Sequence, residues 1–357
     1  MEPRDLSDNV EYVAGQGLEE VARELGRDPS EMVKLASNEN PHGPSPKAVA
    51  AIREGADAVH HYPKAAHADL TAALADQWEV DPAQVWLAAG GDGALDYLAR
   101  AMLDSGDAVL VPTPGFAYYE MSARFHHGRV DQYDLTGETG TLSPETVLEA
   151  YDGQRIVYLT SPHNPTGGRY SLDAIERIAR ETAPETLLVV DEAYEEFAAG
   201  ESARTLLADR DDIAVLRTFS KAYGLAGLRL GYAIVPEEWA TAYARVNTPF
   251  AVSTLACAAG LAALDDDEHL DRTRETVSWA REYMTREIEA PVAESHGNFV
   301  MVDVGDGTAV SEELKVEYGI IVRDLTSFGL PEHVRITTGR REETEQVVAA
   351  LNEVLSP

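Results

Sequence analysis

Up to about residue 235 the chain repeats one pattern: a short apolar run, a turn, then residues spaced for a helix. The runs Val85–Ala89, Ala108–Val111, Ile156–Thr160, Leu187–Val190, Ile213–Leu216 and Tyr232–Val235 read as strands. Most are apolar at every position, so both of their faces need cover. Helical patterns fill the gaps at Gly93–Leu103, Pro144–Ala150 and Leu172–Thr182. Ser143 before Pro144 reads as an N-cap, as does Ser171 before Leu172, Ile175, Ile178 and Ala179. The alternation predicts an α/β fold with a mostly parallel central sheet flanked by helices.

Beyond residue 236 the pattern changes. A helical stretch over Pro236–Glu289 leads to strands at Asn298–Val304, Ile320–Arg323 and Val334–Thr337, with helical segments between them and a last helix ending near Leu355. This predicts a smaller α+β domain hung on a long helix. The expected division is a large domain over 30–245, with an N-terminal arm over 1–29 joining 246–357 in the smaller one.

Charge narrows the range of partners. The 62 acidic and 29 basic residues leave a net charge of −33, which repels phosphate backbones and argues against nucleic acid. Only Lys34, Lys47, Lys64, Lys221 and Lys315 are lysines; the other basic residues are arginines. Abundant carboxylates with scarce lysine point to a salt-rich cytoplasm, where a Debye length of about 3 Å at 1 M screens such a charge. The single cysteine, Cys257, allows no intrachain disulfide and no cysteine metal cluster, and reads as a core residue. The stretch Phe250–Leu264 is too short for a membrane span, and the opening Met-Glu-Pro-Arg-Asp lacks a leader pattern. A soluble cytoplasmic protein with no membrane partner is expected. His60, His61, His67, His126 and His127 lack metal-ligand spacing, so no metal is expected.

Open α/β sheets bind ligands at the carboxyl ends of their strands, and four polar features stand there. Asp191 follows Leu187–Val190. It would suit a nucleotide hydrolase, but the chain has no Gly-Lys dipeptide to complete a phosphate loop; a plain turn-capping role also fits it. Lys221 lies in Thr218–Gly231, amid apolar residues and glycines, in a chain that has nearly purged lysine. A partly buried amine can bond covalently to an aldehyde, which arginine cannot do. Asn164 sits between constrained positions in Ser161-Pro-His-Asn-Pro-Thr-Gly167, a stretch that could equally be a simple loop. Gly90-Gly91-Asp92-Gly93 opens a helix whose free N–H groups suit an anion, a weak signal alone and without dinucleotide spacing.

A covalent amine, an acid, an amide and a phosphate cradle together match the needs of pyridoxal 5'-phosphate. Lys221 would bond to it and Asp191 would pair with the pyridine nitrogen. Asn164 and Tyr194 would donate to the phenolate oxygen. Arg229, Ser220, Thr218 and the amides of Gly91 and Asp92 would hold the phosphate.

The sequence resembles the fold-type I aminotransferases, and within them the histidinol-phosphate aminotransferases, over nearly its whole length. The resemblance is carried by Lys34-Leu-Ala-Ser-Asn-Glu-Asn-Pro-His-Gly-Pro-Ser-Pro46, His61-Tyr-Pro63, Ser161–Gly167, Asp191-Glu-Ala-Tyr194, Phe219–Arg229, Asn298-Phe299, Val322-Arg-Asp324 and Val334-Arg-Ile-Thr-Thr-Gly339. It implies catalytic roles for Lys221, Asp191 and Tyr194. It implies Phe116 as the aromatic that stacks on the cofactor, with Tyr119 as the alternative. It implies that Tyr62 reaches the cofactor phosphate of a second subunit, hence a homodimer. It implies Arg335 at the substrate α-carboxylate, Arg323 at the substrate phosphate, and Asn40 and Tyr12 near the substrate. Two positions depart from the family: His163, where Asn is common, and Gly93, where an acidic residue is common.

The expected reaction is transamination between glutamate and imidazole acetol phosphate, with Lys221 as base and acid. The alternatives are a threonine-phosphate decarboxylase, an aromatic or aspartate aminotransferase, and a non-catalytic binding protein that would leave Lys221 idle.

Overall fold

A computed structural model of the chain describes residues 17–64, 67–137 and 139–356, together with 7, 9 and 15. Its centre is a seven-stranded sheet. The strands are β2 (Val85–Ala88), β3 (Ala108–Thr113), β4 (Arg129–Asp134), β5 (Ile156–Thr160), β6 (Leu187–Asp191), β7 (Ile213–Thr218) and β8 (Gly231–Ile234). A short β1 (Val33–Lys34) precedes them. The spatial order in the sheet is β2-β8-β7-β6-β5-β3-β4.

The apolar runs form strands because each side of the pleat has its own core. In β5, Ile156 and Tyr158 pack with Trp86, Val109 and Val111 on one face, while Val157 and Leu159 pack with Leu110, Leu188 and Val190 on the other. The helix Gly90–Met102 follows β2 directly, and the helix Leu172–Glu181 follows β5 after the loop 161–171, with Ser171 capping it by accepting the N–H of Ala174.

Three expectations need correction. Tyr232–Val235 becomes β8, and it runs antiparallel to both β7 and β2. The twelve residues from 219 to 230 form turns and the single helical turn Ala226–Leu228, and no packed crossover helix, so the chain doubles back. The polar edge strand β4 had no apolar signature, since only Tyr133 in it is buried. The helix expected over Pro236–Glu289 is broken into Tyr243–Val246, Thr254–Leu264 and Asp267–Glu287. Pro249 interrupts the first gap, and Ser253 caps the restart by accepting the N–H of Ala256.

The smaller unit carries β9 (Phe299–Asp303), β10 (Ile320–Ile321), β11 (Arg323–Asp324) and β12 (His333–Thr337). β11, β12 and β9 form an antiparallel sheet, whereas β10 pairs with β1. The run Ile320–Arg323 thus splits at Val322 between two sheets. Leu35 packs with Val300, Val322 and Ile336 in the smaller core, whereas Ala48 packs with Leu70 and Phe219 in the larger one. Ala256, Cys257 and Ala259 pack with Leu70, Phe219 and Leu230 against the large sheet, so that unit extends past 245. Among the described residues no helix is long and apolar enough to cross a membrane.

Candidate active site

The reversal at residues 219–230 gathers the site. Gly231 lies in register with Thr218 on one side and Ala88 on the other, which draws the ends of β7 and β2 together. The helix Gly90–Met102 begins at once after β2, with Gly90 at φ +81°. A Cβ on Gly90 would stand 2.5 Å from Arg229 Nη2, and one on Gly231 would stand 2.6 Å from the Gly90 carbonyl carbon. Only glycine lets these backbones meet. Arg229 donates to Asp92 Oδ2 at 2.8 Å, and Thr218 Oγ1 accepts the N–H of Ser220 at 3.1 Å. An arginine, two hydroxyls and the first N–H groups of a helix are therefore brought together at these strand ends.

Asp191 ends β6, beside Thr160 at the end of β5. Its Oδ1 accepts the N–H of Ala193 at 3.0 Å and its Oδ2 accepts the Tyr119 hydroxyl at 2.5 Å. Burial pushes the carboxyl up to about 6, although both hydrogen bonds pull it down. The Tyr119 ring stacks on Tyr158 at 4.8 Å and is enclosed, whereas Phe116 and Tyr118 are half-buried. Phe116 meets Tyr119 edge-on at 5.6 Å.

Lys221 is half-buried. Its ammonium donates to the Ser37 carbonyl at 3.2 Å and stands 5.6 Å from the centre of the Tyr194 ring. The strap 38–44 presses on the lysine loop: a Cβ on Gly224, at φ +66°, would lie 2.2 Å from the Gly43 oxygen. The Tyr194 hydroxyl accepts from Asn38 Nδ2 at 3.0 Å. Arg335, buried on β12, donates to Asn164 Oδ1 and, at 2.7 Å, to the Ala36 carbonyl. Arg323 lies opposite Arg335 across β11 and β12, near Ser327 and 5.6 Å from the Phe328 ring.

Asn40 and Tyr62, also expected near a site, have these contacts. The Asn40 amide donates to the Ala222 carbonyl of the lysine loop at 2.7 Å and to Thr273 Oγ1 at 3.2 Å, and its oxygen accepts the N–H of His42. Tyr62 is 83% exposed and packs 5.1 Å from the exposed Phe250 ring. Tyr12 lies outside the described residues. Asn38 and the bond from Tyr119 to Asp191 were not read from the sequence; the surplus of polar residues in Ser37–Asn40 was the available signal. Among the described residues no group of three or more His, Cys, Asp or Glu side chains is placed to hold a metal ion.

The family model described as aminotransferase class I and II matches residues 30–351. The chain belongs to this family. This aminotransferase is 65% identical to a histidinol-phosphate aminotransferase of Halobacterium salinarum over 99% of both chains. It resembles the crystal structure of histidinol-phosphate aminotransferase from Sinorhizobium meliloti in complex with pyridoxal-5'-phosphate, with a TM-score of 0.85, 29% identity, and coverage of 96% of this chain and 95% of that one. A structure of L-threonine-O-3-phosphate decarboxylase from Porphyromonas gingivalis gives a TM-score of 0.78 at 25% identity, covering 91% of this chain and 99% of that one. The aminotransferase's donor set suits a phosphorylated pyridine aldehyde: a primary amine, a buried carboxylate, an amide with a phenol, and a glycine-lined anion cradle lie along one edge of the sheet.

Proposed function

We propose that this aminotransferase carries the amino group of glutamate to imidazole acetol phosphate, giving 2-oxoglutarate and histidinol phosphate in histidine biosynthesis, with pyridoxal 5'-phosphate as its cofactor. The observation that carries the reading is full-length identity of 65% to a histidinol-phosphate aminotransferase, in a chain whose half-buried Lys221 sits against Tyr194.

The cofactor supplies an aldehyde for covalent attachment and a ring that draws electrons from the substrate α-carbon. Lys221 provides the attaching amine and, once released, moves a proton off and onto carbon as base and acid. Asp191 holds the pyridine nitrogen protonated. A carboxyl that titrates near 6 while buried gains a cationic partner there, which favours its charged form. Tyr194 and Asn164 donate to the phenolate oxygen, and Phe116 covers one ring face. Thr218, Ser220, Arg229 and the amides of Gly91 and Asp92 hold the phosphate. Arg335 takes the substrate α-carboxylate and Arg323 the substrate phosphate, through charge-assisted bonds.

A homodimer completes this reading. Val59, Tyr62 and Phe250 are exposed, and Phe250 holds φ +59°, an unfavourable conformation for a bulky side chain. A second copy covers this patch, and Tyr62 reaches its cofactor phosphate. The enzyme works in a salt-rich cytoplasm, as its net charge of −33 and its halophilic relatives support. The division into a large cofactor-binding domain over 30–245 and a smaller α+β domain of 246–357 with the arm 1–29 is kept as part of this proposal, with Leu35 assigned to the smaller core and Ala256–Ala259 to the larger.

The test is purified protein with glutamate, imidazole acetol phosphate and the cofactor in molar salt. Accumulation of 2-oxoglutarate supports the reading. Turnover only with another keto acid, or carbon dioxide release from a phosphorylated amino acid, contradicts the substrate assignment.

A further inference from the structure

Asn38 is buried and held at φ +53°, in the left-handed region that asparagine enters more readily than most residues. Each of its polar groups is engaged. Its backbone N–H donates to Thr337 Oγ1 at 3.0 Å, its carbonyl accepts from Asn298 Nδ2 at 3.0 Å, its Oδ1 accepts from Thr337 Oγ1 at 3.1 Å, and its Nδ2 donates to the Tyr194 hydroxyl at 3.0 Å.

These bonds fix the amide's orientation. The Thr337 hydroxyl accepts from the Asn38 N–H and gives its one proton to Oδ1, which sets Nδ2 toward Tyr194. A tyrosine oxygen that accepts from an amide points its own proton elsewhere. The ring is held as well, edge-on to Phe299 at 5.3 Å with the Lys221 ammonium beside it. Thr337 ends β12 and Asn298 precedes β9, so the smaller unit dictates the direction in which a hydroxyl of the larger one donates.

We infer that Asn38 is a positioning residue: its amide, oriented by Thr337, turns the Tyr194 hydroxyl into a donor aimed at the phenolate oxygen of the cofactor. The inference rests on the cofactor reading above and adds to it a group that never touches the cofactor. Donation to that oxygen favours its charged form, so it lowers the pH at which the lysine–cofactor chromophore takes up its proton.

The test is a spectrophotometric pH titration of the cofactor-loaded chain. Asn38→Gly tolerates the positive φ and keeps both backbone bonds, so it deletes only the amide. Its titration midpoint should rise by about half a pH unit, and the rise should vanish when Asn38→Gly is made in a Tyr194→Phe background. Thr337→Val, which removes the hydroxyl that orients the amide, should shift the midpoint in the same direction and serves if Asn38→Gly does not fold. An unmoved midpoint, or an equal shift in the Tyr194→Phe background, overturns the inference alone. A parent chain that forms no chromophore overturns the cofactor reading, and the inference with it.

Discussion

The Tyr119 hydroxyl stands 2.5 Å from Asp191 Oδ2, and both side chains are buried. The bond crosses from the helix after β3 to the end of β6 and opposes the rise from burial, which still leaves the carboxyl at about 6. In the cofactor-free chain the folded carboxyl thus titrates above its ordinary value of 3.8. The folded state holds its proton longer, so stability falls as pH rises through 4 to 6 and the full cost is present above that window. Asp191→Asn should remove this dependence. By urea unfolding, the variant should gain on the parent by about 2 kcal/mol from pH 4 to pH 7, since a tenfold change in proton affinity is worth about 1.4 kcal/mol and the cost has already begun at pH 4. Tyr119→Phe should steepen the dependence. Parallel pH profiles for parent and Asp191→Asn would contradict this coupling.

His163, where the family commonly has Asn, is a buried clasp between two loops. A carbonyl can only accept, so Nε2 carries the proton given to Pro114 at 2.9 Å, and Nδ1 accepts from Thr166 Oγ1 at 2.8 Å. Burial holds the ring at about 4. Its contribution is present above pH 6.5 and lost as pH falls toward 4, opposite in sign to that of Asp191. His163→Leu leaves two buried polar groups unpaired and should cost about 1–3 kcal/mol for each at pH 7, while His163→Asn should cost less. Urea midpoints at pH 7 check both values.

The exposed pair of Tyr62 and Phe250 tests the proposed dimer. Phe250→Asp should yield monomers by analytical ultracentrifugation. Tyr62→Phe keeps the ring and should keep the dimer, but should bind the cofactor several-fold more weakly, on the order of 1 kcal/mol for one lost hydrogen bond.

Salt should be a structural requirement. With 62 acidic and 29 basic residues, lowering salt from about 1 M to 0.1 M lengthens the Debye length from about 3 to about 10 Å and exposes the carboxylates to one another. The thermal midpoint should fall steeply over that range. An unchanged midpoint would remove the inference from composition.

Much of this was legible in the chain. Strands buried on both faces announce themselves by unbroken apolar runs, and Lys221 stood out because so few lysines remain. An apolar run carries no direction, however, so the reversal of β8 emerges only from the short lysine loop. The edge strand β4 buries little and so leaves little apolar pattern. Asn38 and Tyr194 are 156 residues apart, and Tyr119 and Asp191 are 72 apart. No local pattern encodes such pairings; packing of elements distant in the chain creates them.

The mechanism stands on Lys221 as the covalent anchor. The most direct measurement is to load the folded chain with pyridoxal 5'-phosphate in molar salt, reduce it with borohydride, digest it and map the added mass. One pyridoxyl group is predicted on the peptide containing Lys221, and none when Lys221→Arg is treated alike. Label spread over Lys34, Lys47, Lys64 and Lys315, or no label at Lys221, would contradict it.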